Sequence, residues 1–134
     1  MKKVYVASRG LPERSKMWLD LRTRGVQITA SWIEDPDEAA WDFTELWQEV
    51  VREIHASDAI LAYVEKEDFP VRGVLVEVGV AIGAGLPVHV VLPGVKLEGP
   101  SLRPLGAWAH HPLVKRHDNM SDALAELGYG DISL

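Results

Sequence analysis

Cysteine is missing from the 134 residues, which removes disulfides, thiolate metal ligands and a thiol nucleophile together. That absence fits a reducing compartment, and the expected location is the cytoplasm. Positive charge is scarce: 14 Lys and Arg stand against 20 Asp and Glu, a net charge of −6. Such a balance argues against a surface for nucleic-acid polymers, while a local basic pocket for a small phosphorylated ligand stays compatible with it. No apolar stretch reaches membrane-spanning length. The opening Met1-Lys2-Lys3-Val4-Tyr5-Val6 breaks at Ser8-Arg9-Gly10, too early for the apolar region of a signal peptide, so no membrane association is expected. Also absent are a Walker run, a G-x-G-x-x-G after a strand, a nucleophile elbow and a Ser-His-Asp order. The adjacent His110 and His111 point apart, and His55, His89 and His117 fall on separate elements. With no i, i+4 ligand pair, neither a metal site nor another cofactor is expected.

What the chain does hold is one acid in unusual company. Glu77 is the only charged residue between Gly73 and Val88, in the run Gly73-Val-Leu-Val-Glu77-Val-Gly79-Val-Ala81-Ile-Gly-Ala-Gly85-Leu-Pro87-Val88. A carboxylate among such neighbours is desolvated, and desolvation raises an acid's pKa toward neutrality. The alternative is a Glu on the solvent side of a helix or strand.

Short apolar runs alternate with helical periodicity over the whole length, which reads as one domain, 1–134. Val4–Ala7 is expected as a strand, Glu13 to Arg24 as a helix stopped by Gly25, and Val26–Ser31 as a second strand. A polar turn through Glu34-Asp35-Pro36-Asp37 leads to a long helix from about Ala39 to Ala56. Asp58–Val64 is the third strand, Gly73 to Gly85 a helix, and Pro87–Leu92 a fourth, almost wholly apolar strand. Leu102–Trp108 suggests one or two helical turns and Leu113–His117 a fifth strand, before a last helix capped by Asn119 or Ser121. The expected architecture is a flavodoxin-like or Rossmann-like doubly wound α/β sandwich, with a five-stranded parallel sheet in the order 2-1-3-4-5.

In such a sheet a ligand lies beyond the carboxyl ends of the strands, at the switch between strands 1 and 3. That rim gathers Ser8, Arg9, Gly10, the segment from Glu65 to Gly73 and the first turn of the Glu77 helix. Ser8, Arg9, Gly10 and Arg14 offer a hydroxyl, a close-approach glycine and two guanidinium groups, the parts needed for a phosphate or a sugar hydroxyl. Solvated surface cations are the other reading of the two arginines. Trp32 is placed to stack on a flat base, unless it is core or an interface anchor. A lone sheltered carboxylate beside such a loop suits chemistry at an anomeric carbon, whose transition state carries positive charge.

At these residues the chain resembles the nucleoside 2-deoxyribosyltransferase-like superfamily, which includes deoxynucleoside 5'-monophosphate N-glycosidases. The similarity runs from about Lys2 to Leu92, and more faintly beyond. Its strongest part is Gly73-x-x-x-Glu77-x-Gly79-x-Ala81 followed by Gly85-x-Pro87-Val88. The resemblance implies that Glu77 is the nucleophile and that Tyr5, Ser8, Arg9, Gly10 and Arg14 belong to the substrate site; Trp32 and Gly73 join them by their place at the rim. It further implies that Ser101 approaches a phosphate in a neighbouring subunit and that Asp58 is structural. One position departs: where the family often carries an Asp before the third strand, this chain has Val50, flanked by Glu49 and Glu53. Either of these, or Glu65 or Asp68, takes that part, or turnover has been lost.

Three readings follow. The first is an enzyme that cleaves or exchanges the N-glycosidic bond of a nucleoside or nucleotide; the second is a non-catalytic nucleotide-binding sensor, supported by Val50; the third is an assembly protein using its Trp-rich helices. A homo-oligomer is expected, because the family shares sites between subunits and Trp41, Phe43, Leu46 and Trp47 widen the apolar side of one helix beyond what a sheet face needs.

Overall fold

The computed structural model describes residues 2–35 and 38–134. Four parallel strands form the central sheet in the order β1-β2-β3-β4: β1 (Val4–Ala7), β2 (Ala59–Tyr63), β3 (Val88–Val91) and β4 (Val114–His117). The register pairs Val4 with Ala59, Ile60 with Val88, and Val88 with Val114. Every residue of β1 and β3 is buried. This is why their sequences are continuous apolar runs and not alternating patterns: a parallel sheet is covered on both faces.

Four helices accompany the sheet: α1 (Pro12–Thr23), α2 (Phe43–His55), α3 (Gly73–Gly83) and α4 (Met120–Glu126). Pro12 opens α1 at a position where its missing N–H costs nothing, and Gly25, at φ 114°, lets the chain leave it. The second helix begins later than its periodicity suggests. A 3₁₀ turn, Glu38–Ala40, precedes it, and Asp42 caps it by accepting from Thr44 N (3.0 Å) and Glu45 N (3.2 Å). Asn119 caps α4 through Asp122 N. The helical turns expected from Leu102 shrink to a 3₁₀ turn at Ala107–His110.

The fifth strand is a correction. Val26–Ser31 runs beside β1 but makes a single parallel bridge, Val4 to Ile28, held by Val4 N to Gln27 O (2.8 Å) and Thr29 N to Val4 O (3.0 Å). The chain then winds into a 3₁₀ turn, Ser31–Glu34, that buries Trp32 and Ile33. Burying two large side chains outweighs extending the ladder by two or three residues, since each is worth about 1.5–3 kcal/mol. The sheet is therefore four-stranded, and the expected order 2-1-3-4-5 gives way to 1-2-3-4. Of the turn expected through Glu34-Asp35-Pro36-Asp37, Pro36 and Asp37 lie outside the described residues. Among those described, no helix is long and apolar enough to cross a membrane.

Candidate active site

A cavity of about 540 Å³ opens beyond the carboxyl ends of β1 and β2. Three segments supply most of its wall: the loop after β1 (Ser8, Arg9, Gly10, Leu11), the start of α2 with the turn before it, and the loop from Glu67 to the first turns of α3. Of the residues singled out in the sequence, Tyr5, Ser8, Arg9, Gly10, Trp32, Gly73 and Glu77 all line it. Arg14 and Ser101 do not.

Glu77 sits one turn into α3 and is 7% exposed. Its Oε1 turns back toward the helix start, 3.7 Å from where a Cβ on Gly73 would lie, and the Trp47 ring is at the same distance from that point. Burial pushes the Glu77 carboxyl up to about 8, while the Tyr5 hydroxyl pulls the other way. Tyr5 stands on β1 with no exposed surface. Burial drives its own pKa far up, and the Glu77 charge adds to the effect. The two groups thus interact, although the buried Tyr5 Oη completes no well-formed hydrogen bond among the described residues. A buried hydroxyl left short of a partner beside a buried acid is a donor held ready for a ligand or for the ionised carboxylate.

Arg14 has a different place from the one its position suggested. The residue is 6% exposed, and its guanidinium donates to both oxygens of Asp68 (2.8 and 3.2 Å) and to Glu65 Oε1 (3.0 Å). Burial alone would lower its pKa, but Asp68 and Glu65 outweigh it and hold the charge firmly. The guanidinium also lies over the Tyr63 ring at 5.0 Å, and the Tyr63 hydroxyl donates to Glu65 Oε2 (2.6 Å). Asp68 closes the set by accepting from Glu65 N at 2.8 Å. With all these contacts made, Arg14 shapes the loop that walls the cavity and has no free face for a phosphate. Ser8 is steadied in a similar way, accepting from Trp18 Nε1 at 2.9 Å.

The cations that do face the cavity are Arg9 and Arg72, both exposed, and neither is in an ion pair among the described residues. Arg72 precedes the first residue of α3. Sequence reasoning passed over it, although a lone cation directly before a glycine-opened helix was a readable signal. It also placed Trp41, Phe43, Leu46 and Trp47 at an interface. All four line the cavity, with Trp41 and Phe43 meeting edge to face at 6.0 Å, and Phe43 also keeps half of its surface exposed. At Gly10 the loop comes close to this wall: a Cβ would lie 3.3 Å from the Trp41 ring, a tight contact that the ring would have to shift slightly to relieve. Trp32 is buried and donates through Nε1 to Val6 O (3.0 Å), which fixes its ring plane.

Val50 lines the cavity as a buried apolar residue. Its flanking acids are engaged elsewhere: Glu49 pairs with Arg52, and Glu53 accepts from Ser31 N at 2.9 Å. Of the other acids named as substitutes, Asp68 reaches the cavity but is bound to Arg14, and Glu65 does not line it. Two exposed acids on its wall, Glu38 and Glu67, are in no ion pair among the described residues.

The histidines need one correction. His89 and His117 do fall on separate elements, β3 and β4, but those strands are neighbours, so the two rings meet at 2.9 Å and the separation does not keep them from a common site.

No protein-family model and no curated protein matches the sequence. The structure is similar to a 2-desoxiribosyltransferase from Leishmania mexicana (TM-score 0.66, 17% identity, 95% of this chain and 97% of that one). It is also similar to the CMP N-glycosidase BcmB from Clostridium botulinum (TM-score 0.59, 16% identity, 95% of this chain and 98% of that one). At these identities the likeness is one of fold.

Proposed function

We propose that the protein cleaves or exchanges the N-glycosidic bond of a nucleoside or nucleoside monophosphate, with Glu77 as the nucleophile. The observation that carries this reading is a desolvated acid, paired with an underused tyrosine hydroxyl, on the wall of an aromatic-lined cavity at the strand tips. The fold shared with a deoxyribosyltransferase and a CMP N-glycosidase supports it. Aromatic faces accept a planar base, and Arg9 and Arg72 offer two charges to a 5'-phosphate.

In the proposed reaction a Glu77 oxygen attacks the anomeric carbon. The carbon–nitrogen bond breaks, its electron pair leaves with the base, and the base takes a proton from solvent, which the nucleophile of the second step gives back. A water, or a second base, then attacks the same carbon and frees the carboxylate. Tyr5 donates to the carboxylate when it is charged, and Ser8, Gly10, Trp32 and Gly73 shape the sugar and base subsites. Arg14 supports the loop from behind. A panel of deoxy- and ribonucleosides and their monophosphates, assayed for free base by chromatography, tests the reading; release from none of them by the wild-type protein defeats it.

The acidity of Glu77 sets the expected pH dependence. A nucleophile must be ionised, and with its pKa at about 8 the free protein is mostly protonated at pH 6. The value of kcat/KM should therefore rise about tenfold per pH unit from pH 6 and level off near pH 8. A profile that falls across that window would instead make Glu77 a proton donor.

A homo-oligomer completes the proposal. Phe43 (50% exposed) and Val51 (39%) on α2, with Leu75 (38%) and Val76 (55%) on α3, leave apolar surface on two helices that pack together. Ser101, exposed on the loop after β3 and outside its own chain's cavity, is proposed to serve a neighbour's. Specific activity should drop on dilution; constant activity in a proven monomer rules the shared site out.

A further inference from the structure

We infer that His89, His117 and Glu126 form a binding site for a divalent zinc-class cation, separate from the cavity, that ties β3, β4 and α4 together. The geometry follows from the sheet register. His89 pairs with Lys115 across the two strands, so His117, two residues on, projects from the same face as both. The last turn of α4 brings Glu126 over that face.

His89 Nδ1 and His117 Nε2 are 2.9 Å apart, His89 Nδ1 and Glu126 Oε2 are 4.0 Å apart, and the ligand atoms of all three residues lie within 4.8 Å of one another. Ligands arranged tetrahedrally around zinc at 2.0–2.1 Å stand about 3.3 Å apart. The observed separations bracket that spacing, so small side-chain rotations suffice. Two imidazoles and a carboxylate are a borderline-hard donor set that zinc accepts, with the fourth position open to water.

Burial and charge agree with the assignment. His89 and His117 are 5% and 8% exposed, whereas the Glu126 side chain is 42% exposed, which gives an ion a route in from solvent. A cation between the rings replaces the proton they now share, with each imidazole keeping its remaining proton on the ring nitrogen that faces away, Nε2 of His89 and Nδ1 of His117. Lys115 now holds Glu126 Oε2 at 2.9 Å, but both partners are largely exposed and such a pair yields readily to a stronger cation. None of the three ligands lines the cavity, so the inference stands whether or not the proposed reaction does.

Chelator-treated full-length protein titrated with zinc chloride should bind one equivalent by calorimetry and melt at a higher temperature. Cobalt(II) in its place should give the intense visible bands of a four-coordinate site. Glu126→Gln and His117→Asn should each weaken binding by at least about tenfold, while His110→Asn with His111→Asn leaves it unchanged. Because Glu126 is exposed, its variant should fold even if the His117 one does not, and the Glu126 result then decides. No stoichiometric binding to the wild type, or equal affinity in a folded Glu126→Gln protein, overturns the site.

Discussion

Glu77→Gln should lower base release by roughly 10³- to 10⁶-fold, the range seen when a covalent nucleophile is removed, and should make the protein more stable in alkaline buffer. Both effects have one cause. Burial raises the Glu77 carboxyl from its ordinary 4.5 to about 8. Between those values the native state binds more protons than the unfolded chain, so stability declines as the pH climbs through that interval. Full ionisation of an acid shifted this far costs the fold on the order of a few kcal/mol. Glutamine copies the protonated form and never ionises. The two proteins should therefore unfold at similar urea concentrations at pH 4.5, with the variant ahead at pH 9. A variant less stable at both pH values would show that Glu77 is held as a charge, which contradicts the desolvated site. Retention of base release by a folded variant would remove the nucleophile from the mechanism.

Arg14→Ala should destabilise the protein by about 3–5 kcal/mol, the usual cost of stripping one partner from a buried ion pair. The Asp68 side chain is 3% exposed, and the Arg14 guanidinium holds both of its oxygens. Loss of the cation strands that charge, frees Glu65 and uncovers the Tyr63 ring. Pairing Arg14→Ala with Asp68→Asn should recover part of the loss, because the stranded charge is gone; chemical denaturation of the four proteins in the cycle reads this directly. An additive double variant would mean that the two residues act independently. If Arg14 held substrate instead, its loss would raise KM while leaving the denaturation midpoint in place.

Some of the molecule was legible in the sequence because its causes are local. Val4–Ala7 and Val88–Val91 are unbroken apolar runs, Gly25 ends α1, and Asn119 opens α4, each within a few residues of the structure it specifies. Glu77 stood out because desolvation could be inferred from its own neighbours. The failures have distant causes. Whether Val26–Ser31 forms a ladder depends on where Trp32 and Ile33 are buried, and no window over those residues contains that competition. Arg14 was grouped with the rim loop because it follows Ser8-Arg9-Gly10 closely in sequence, yet its partner Asp68 is 54 residues away. Trp41 and Trp47 looked like surplus apolar surface because the concavity they line is built from three separated segments. His89 and His117 met only once a strand order and register were in hand.

The lone bridge at Ile28 also bears on how the molecule avoids unwanted self-association. The outer rim of β1 would otherwise present a row of unpaired amides and carbonyls to any passing chain. Gln27 and Thr29 occupy the Val4 amide and carbonyl, and the Thr29 hydroxyl meets that of Ser57 at 2.7 Å. At the opposite rim, β4 carries exposed Lys115 and Arg116, whose repulsion discourages an incoming copy. With both borders blunted, fibrillar strand addition is suppressed.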